Sequence, residues 1–400
     1  MKKVILIFLC AFFVKGYFVK ENTTKVMAAP KVEAKGAVLI DEKTGRVLWE
    51  KNAYDQMAMA STTKIMTLIV ALENGNMQDK VKISSKAARQ PKVKMNLDVD
   101  EEIKLEYLLY ALMLQSFNDS AVAIAEHIGG DVETFCQMMT DKAKEIGAYN
   151  TCFETPSGLD GDKHYSTPYD MALIAKYALD NEEFIRITNT PNIEVHSNKA
   201  NYSLVNKNRL LRQVSGAKGV KTGFTNKAGH CFVGAVERDE LSIISVVLGS
   251  GWGHDREQKW IDTKEILSYG FDNFKYVDII EAGQDGGAPV SVHRAKVGEL
   301  ELMFEEGLML PLSEEEQAGL EVKVVRPSQI NAPVKKGDKI GVGKVYIGNK
   351  LEEEIALVSK MDIDRHDLKT SVEKVLNQWF GLIGESDVVL PEVWFEFLVK

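Results

Sequence analysis

His230-Cys-Phe-Val-Gly-Ala-Val236, then Glu237-Arg-Asp-Glu240, then Leu241-Ser-Ile-Ile-Ser-Val-Val-Leu248 is the stretch that decides the architecture. Two apolar runs rich in β-branched residues flank four charged residues, which predicts a pair of antiparallel strands joined by a tight turn. A second such pair lies far upstream, where Ala37–Asp41 and Arg46–Glu50 surround Glu42-Lys43-Thr44-Gly45. Between the two pairs the periodicity is helical. Ser61 to Asn74-Gly75 is apolar on every face and reads as a buried helix. Leu105–Gln115 is a second apolar helix, interrupted at Ser116-Phe117-Asn118-Asp119 and resuming over Ser120–Ile128. Asp131–Ile146, Ser166–Leu179 and Trp260–Phe271 are further helices, and Ser166-Thr167-Pro168 supplies a cap followed by a proline suited to a first turn. Strands at both ends of one segment with helices inserted predict an α+β fold, an antiparallel sheet backed by helices.

Outside that segment the pattern changes twice. From Val277 to about residue 364 short apolar runs alternate with Gly, Pro and charge clusters, as in a small all-β C-terminal domain. Gly341-Val342-Gly343-Lys344 within it lacks the G-x-x-x-x-G-K-[ST] of a phosphate loop and reads as a strand-flanking turn. In the tail, Val372, Val375, Leu376, Trp379, Phe380 and Ile383 form one helical stripe, which suits a membrane interface or docking against the β domain. Lys2 and Lys3 precede an apolar run from Val4 to Val14, too short for a membrane span of about 20 residues. Small residues at 26–29 follow, the layout of a secretory signal, although Lys15, Lys20 and Lys25 make the stretch after the apolar core long. The expected division is a signal at 1–29, a catalytic domain at 30–275, a β domain at 276–368 and an amphipathic tail at 369–400 that could anchor to a membrane surface. The body of the protein is expected to be exported.

The 400 residues are 45% apolar and 27% charged, an ordinary globular composition. Removing residues 1–29, which carry a net +4, takes the whole-chain −9 to −13. Such a surface does not attract nucleic acid. Cys136, Cys152 and Cys231 lack metal-type spacing and are too few for a disulfide scaffold, though one bridge is open to them. Seven histidines are scattered without clustering, and no cofactor is called for.

There is no G-x-S-x-G elbow and no H-E-x-x-H. What the chain does hold is a trio: Ser61-x-x-Lys64 at the start of a buried helix, Ser116-x-Asn118 in a loop between helices, and Lys221-Thr222-Gly223 after a glycine turn. Residues three apart on a helix share a face, so the Ser61 hydroxyl and Lys64 amine can touch. A serine needs a base to take its proton. An amine can be that base if burial and a second cation, here Lys221, push its pKa far below about 10.4. Asn118 can hold the amine, and Ser116 can relay the proton. Lys221 and Thr222 can receive a substrate carboxylate. Gly223 is expected to leave the strand edge bare for a peptide. Each motif alone is weak: Ser215–Lys218 and Ser371–Lys374 are also S-x-x-K, and Lys43–Gly45 is also K-T-G. Those three read as turns and a solvated helix face. Only Ser61 and Lys221 bracket the single S-x-N in the right order and context.

At these residues the chain resembles the low-molecular-mass penicillin-binding, serine-type D-alanyl-D-alanine carboxypeptidases (peptidase family S11), whose fold is β-lactamase/transpeptidase-like. Ala60–Thr67, Gly219–Thr225 with Ala228-Gly229, Pro156–Asp160 and His164–Thr167 carry the resemblance, which spans about residues 30–275. It implies attack by Ser61 on the carbonyl between two D-alanines of a peptidoglycan stem peptide, with Lys64 as base. The N–H groups of Ser61 and Phe224 would form the oxyanion hole, and Ser116 would pass the proton to the leaving D-alanine. β-Lactams are expected to acylate the same serine. Phe117 stands where many relatives have glycine, and Phe224 where some carry a polar residue. Arg256 resembles a family arginine near the substrate carboxylate. Two rivals are a class A β-lactamase, for which Glu194-x-x-x-Asn198 has the formal spacing but comes late and in a strand-like stretch, and a non-catalytic penicillin-sensing or wall-binding protein.

Overall fold

In the computed structural model the described residues are 28–366 together with Val372, Val375, Leu376 and Gln378; most of the expected signal and most of the amphipathic tail lie outside them. Strands β1 (Gly36–Asp41) and β2 (Val47–Lys51) form the upstream hairpin, and helix α1 spans Lys64–Asn74. Helices α2 (Asn118–Gly129), α3 (Val132–Ile146) and α4 (Pro168–Leu179) follow. Strands β3 (Ala217–Thr225), β4 (Gly229–Arg238) and β5 (Leu241–Leu248) then lead into α5 (Gln258–Asn273). The five strands make one antiparallel sheet in the order β2-β1-β5-β4-β3. The two ends of the segment therefore interleave, with β1 paired to β5 from Gly36↔Leu248 to Asp41↔Ile243.

Period-two side-chain alternation explains why β4 and β5 are apolar throughout rather than on one face. Cys231, Val233, Ala235, Ile244, Val246 and Leu248 pack into the helical cluster built on α1, α2 and α4. Phe232, Val236, Ile243 and Val247 face the other way, onto Trp260, Ile266 and Leu267 of α5. Helices thus cover both faces. Thr167 caps α4 by accepting from the Asp170 N–H at 3.0 Å, with Pro168 in its first turn, as the sequence predicts. The weakly alternating stretch after residue 190 is a small hairpin, Asn192–His196 with Asn201–Val205. A second hairpin (Lys80–Lys82 with Glu102–Lys104) and a helix over Glu182–Asn189 are additional to the expected elements.

From Lys275 to Ser359 the chain is almost wholly β, around a separate core of Val290, Leu300, Leu302, Phe304, Val345 and Leu357. The Gly341–Lys344 stretch is not a turn, as expected, but the interior of a strand spanning Lys339–Ile347. Glycine is needed there because a Cβ on Gly343 would fall 2.3 Å from the Phe304 ring. This region grips the β1–β2 turn: Arg46 donates to Pro311 O at 2.8 Å and pairs with Glu316 at 2.5 Å, and the Tyr276 hydroxyl donates to Asp41 at 2.6 Å. No helix among the described residues is long and apolar enough to cross a membrane.

Candidate active site

The 3-10 turn Ala60–Thr63 feeds directly into α1, and that junction puts Ser61 and Lys64 on one side. Lys64 Nζ lies 3.0 Å from Ser61 Oγ, 3.0 Å from Asn118 Oδ1 and 2.5 Å from the Ser157 carbonyl oxygen. Lys64 is completely buried. Burial above all, and then the nearby Lys221 cation, hold its pKa well below 10.5, while Asp119 pulls weakly the other way. Lys221, 2% exposed, donates to the Thr222 carbonyl at 2.9 Å; burial and the Lys207 cation bring its pKa down to about 7.

Asn118 opens α2, just after Ser116, which is left-handed (φ 66°) and ends the preceding helical stretch. The Asn118 amide is oriented by its Nδ2 donating to Pro91 O at 3.2 Å, which leaves Oδ1 for the amine. Asp119 is buried and accepts from the N–H groups of Met95 and Asn96, each at 2.9 Å, so the 91–97 loop is tied over the motif. Gly158 (φ 84°) lies against the turn from the other side, and a Cβ on it would come within 2.0 Å of Ala60 O.

Gly223 lines the groove, and its bare α-carbon also lets β3 pass against the nucleophile turn, since a Cβ would lie 2.9 Å from Ser61 N and 3.1 Å from Thr62 N. β3 is the last strand of the sheet and takes no strand partner on its outer side among the described residues.

These elements surround a groove of about 640 Å³ lined by Ser61, Ser116, Asn118, Thr222, Gly223, Phe224 and Arg256. The structure thus brings every site residue expected from the sequence to one place, with Lys64 and Lys221 buried beneath. Phe224 is 41% exposed and stacks on His230, ring centroids 4.4 Å apart. Sequence reasoning missed the other charged residues of the lining: Lys92, Lys207, Arg209, Glu257 and Lys259. Lys259 is buried, donates to Arg256 O at 2.7 Å, and has its pKa lowered to about 8 by burial. A lone charged residue carries no local motif, so no sequence signal marks these five. The Ser157 carbonyl was missed for another reason: it acts through backbone, which residue type does not report. The decoys lie elsewhere. Thr44 of Lys43-Thr44-Gly45 caps the hairpin turn on Asp41 at 2.6 Å, and Lys218 pairs with Glu237 at 2.5 Å; Ser371 and Lys374 fall outside the described residues. Glu194 is an exposed residue of the Asn192–His196 strand and does not line the groove, which removes the β-lactamase rival's glutamate.

Comparison with known proteins bears on the same segments. A family described as D-alanyl-D-alanine carboxypeptidase matches residues 23–251, and one described as penicillin-binding protein 5, C-terminal domain, matches residues 274–365. D-alanyl-D-alanine carboxypeptidase DacF of Bacillus subtilis is 32% identical over 354 residues, covering 87% of this chain and 90% of that one. DacA of Escherichia coli is 29% identical over 401 residues, covering 93% and 96%. Penicillin binding protein 5 from Haemophilus influenzae superposes with a TM-score of 0.72 at 27% identity, over 85% of this chain and all of the other.

Proposed function

The chain belongs to the D-alanyl-D-alanine carboxypeptidase family, and from that premise we propose that it removes the terminal D-alanine of peptidoglycan stem peptides through an ester on Ser61. The observation that carries the reading is the set of three contacts at Lys64 Nζ. A neutral amine has two N–H donors and one lone pair. The Ser157 carbonyl and Asn118 Oδ1 can only accept, so they take the two donors, and the lone pair is left facing the Ser61 hydroxyl. Burial and Lys221 favour that neutral state.

Ser61 Oγ attacks the carbonyl between the two D-alanines as its proton passes to Lys64. The oxyanion is received by the N–H groups of Ser61 and Phe224. Ser116 relays the proton to the amide nitrogen, the C–N bond breaks, and D-alanine leaves. Water then attacks the ester carbonyl, releasing the shortened peptide and restoring the Ser61 hydroxyl. The leaving D-alanine carboxylate is taken by Thr222 and Lys221 with Arg256 near. β-Lactams acylate the same oxygen, and their ring-opened product lingers. Residues 30–275 form the catalytic unit in this reading, with 276–368 a β domain. The Lys2-Lys3 start and Val4–Val14 run are taken as an export signal that delivers the protein to the outer face of the cytoplasmic membrane or the cell wall, where its substrate lies.

The test is D-alanine release from a pentapeptide, with wild type against Ser61→Ala, and peptide mapping of a fluorescent-penicillin adduct. Release lost in the variant, with the adduct on the Ser61 peptide, is expected. Rapid wild-type release of penicilloate with no persistent adduct would instead mark a β-lactamase.

A further inference from the structure

We propose that His164 is a positioning residue for the nucleophile, holding the turn that carries Ser61 through the hydroxyl of Thr63. The inference rests on the reading of Ser61 as the acylated residue. His164 is 3% exposed and sits edge-on to Phe153, with centroids 6.0 Å apart. The Glu154 backbone N–H donates to its Nδ1 at 3.1 Å. That nitrogen is therefore an acceptor, and the ring proton belongs on Nε2. Nε2 lies 2.9 Å from Thr63 Oγ1, so its N–H donates there, and the Thr63 hydroxyl donates in turn to Ala60 O at 2.8 Å. Every donor and acceptor in the chain from Glu154 to Ala60 is satisfied in one sense only.

The end point of that chain matters. Ala60 has φ +49°, a left-handed conformation that costs an L-residue about 1–2 kcal/mol, and it immediately precedes Ser61. Its orientation sets the direction of the Ser61 amide and hydroxyl. The segment 154–164 that supplies His164 also supplies the Ser157 carbonyl, which accepts from Lys64 Nζ at 2.5 Å and lies 3.3 Å from Ser61 Oγ. The turn is thus pinned to one loop at two points, one through Lys64 and one through Thr63. Burial above all, and then the Lys227 cation, hold the His164 pKa down to about 4, in keeping with the neutral tautomer.

Two replacements separate positioning from bulk. His164→Gln can place an N–H where Nε2 stands. His164→Asn can still accept from Glu154 N–H but cannot reach Thr63. The readouts are the second-order rate of acylation by benzylpenicillin and the folded fraction from thermal unfolding, after the wild-type adduct has been mapped. The expected result is an adduct on Ser61, acylation slowed about ten- to a hundredfold in His164→Asn, and recovery to within a few-fold of wild type in His164→Gln. Thr63→Val should slow the reaction similarly, and combining it with His164→Asn should add little further. Equal acylation rates in both His164 variants, or losses that track the folded fraction alone, overturn the proposal. An adduct on another residue overturns the Ser61 reading itself, and is recognised by mapping before any His164 variant is made.

Discussion

Lys221→Met removes a buried cation while keeping most of its volume, and the structure says what each property should cost. Lys221 is 2% exposed, and its pKa stands at about 7 against an ordinary 10.5. At about 1.4 kcal/mol per pH unit, that gap is a burial penalty of roughly 5 kcal/mol when the group is protonated. Methionine escapes the penalty but forfeits the hydrogen bond to Thr222 O, worth about 1 kcal/mol. Relaxation around a buried charge trims such figures, so a net gain of about 1–4 kcal/mol is expected near pH 6. The direction with pH follows from proton counts. Between about pH 7 and 10 the unfolded chain holds this proton and the folded protein does not, so wild-type stability climbs with pH in that window. The variant's advantage should therefore shrink, losing most of its size by about pH 9.5. Urea unfolding followed by tryptophan fluorescence at the two pH values measures both effects. Acylation by penicillin should meanwhile fall, because Lys64 loses the neighbour that helps keep it neutral. A variant less stable than wild type near pH 6, or an advantage that grows with pH, would refute the assignment of Lys221 as a buried, reluctantly charged group.

Gly223→Ala should slow acylation by about a hundredfold, with far-UV circular dichroism unchanged, because its Cβ would sit 2.9 Å from Ser61 N and force β3 away from the nucleophile turn. Lys92, Lys207, Arg209, Arg256 and Lys259 line the groove against Glu257 alone among acids, in a chain of net charge −9. Raising ionic strength from about 0.01 to 1 M should therefore lower kcat/KM several-fold for a peptide with free side-chain carboxylates, and much less for its amidated counterpart.

The trio was legible in the sequence because each motif binds residue type to a local shape: three residues along a helix, a helix-to-helix loop, a strand after a glycine turn. The sheet was legible because the hairpins at 37–50 and 230–248 bracket the helices. Gly341–Lys344 misled because glycine reads as a turn when tertiary packing is unseen; there it makes room for the Phe304 ring. Gly223 was read only for the strand edge it leaves bare, since only folding reveals that its α-carbon also packs against Ser61 N. The Ser157 carbonyl and the cationic lining have no local signature at all, being assembled from segments as far apart as Lys92 and Lys259.

In the proposed reading the outer side of β3, which takes no strand partner among the described residues, has a consequence for recognition. Backbone amides and carbonyls along a strand edge respond to extension and spacing in whatever lies beside them, and are blind to its side chains. Discrimination must then come from what stands around that edge: the Thr222 hydroxyl, the Phe224–His230 stack and the ring of cations. A protein of this design can change the peptide it prefers by altering those few side chains while the strand beneath them stays as it is.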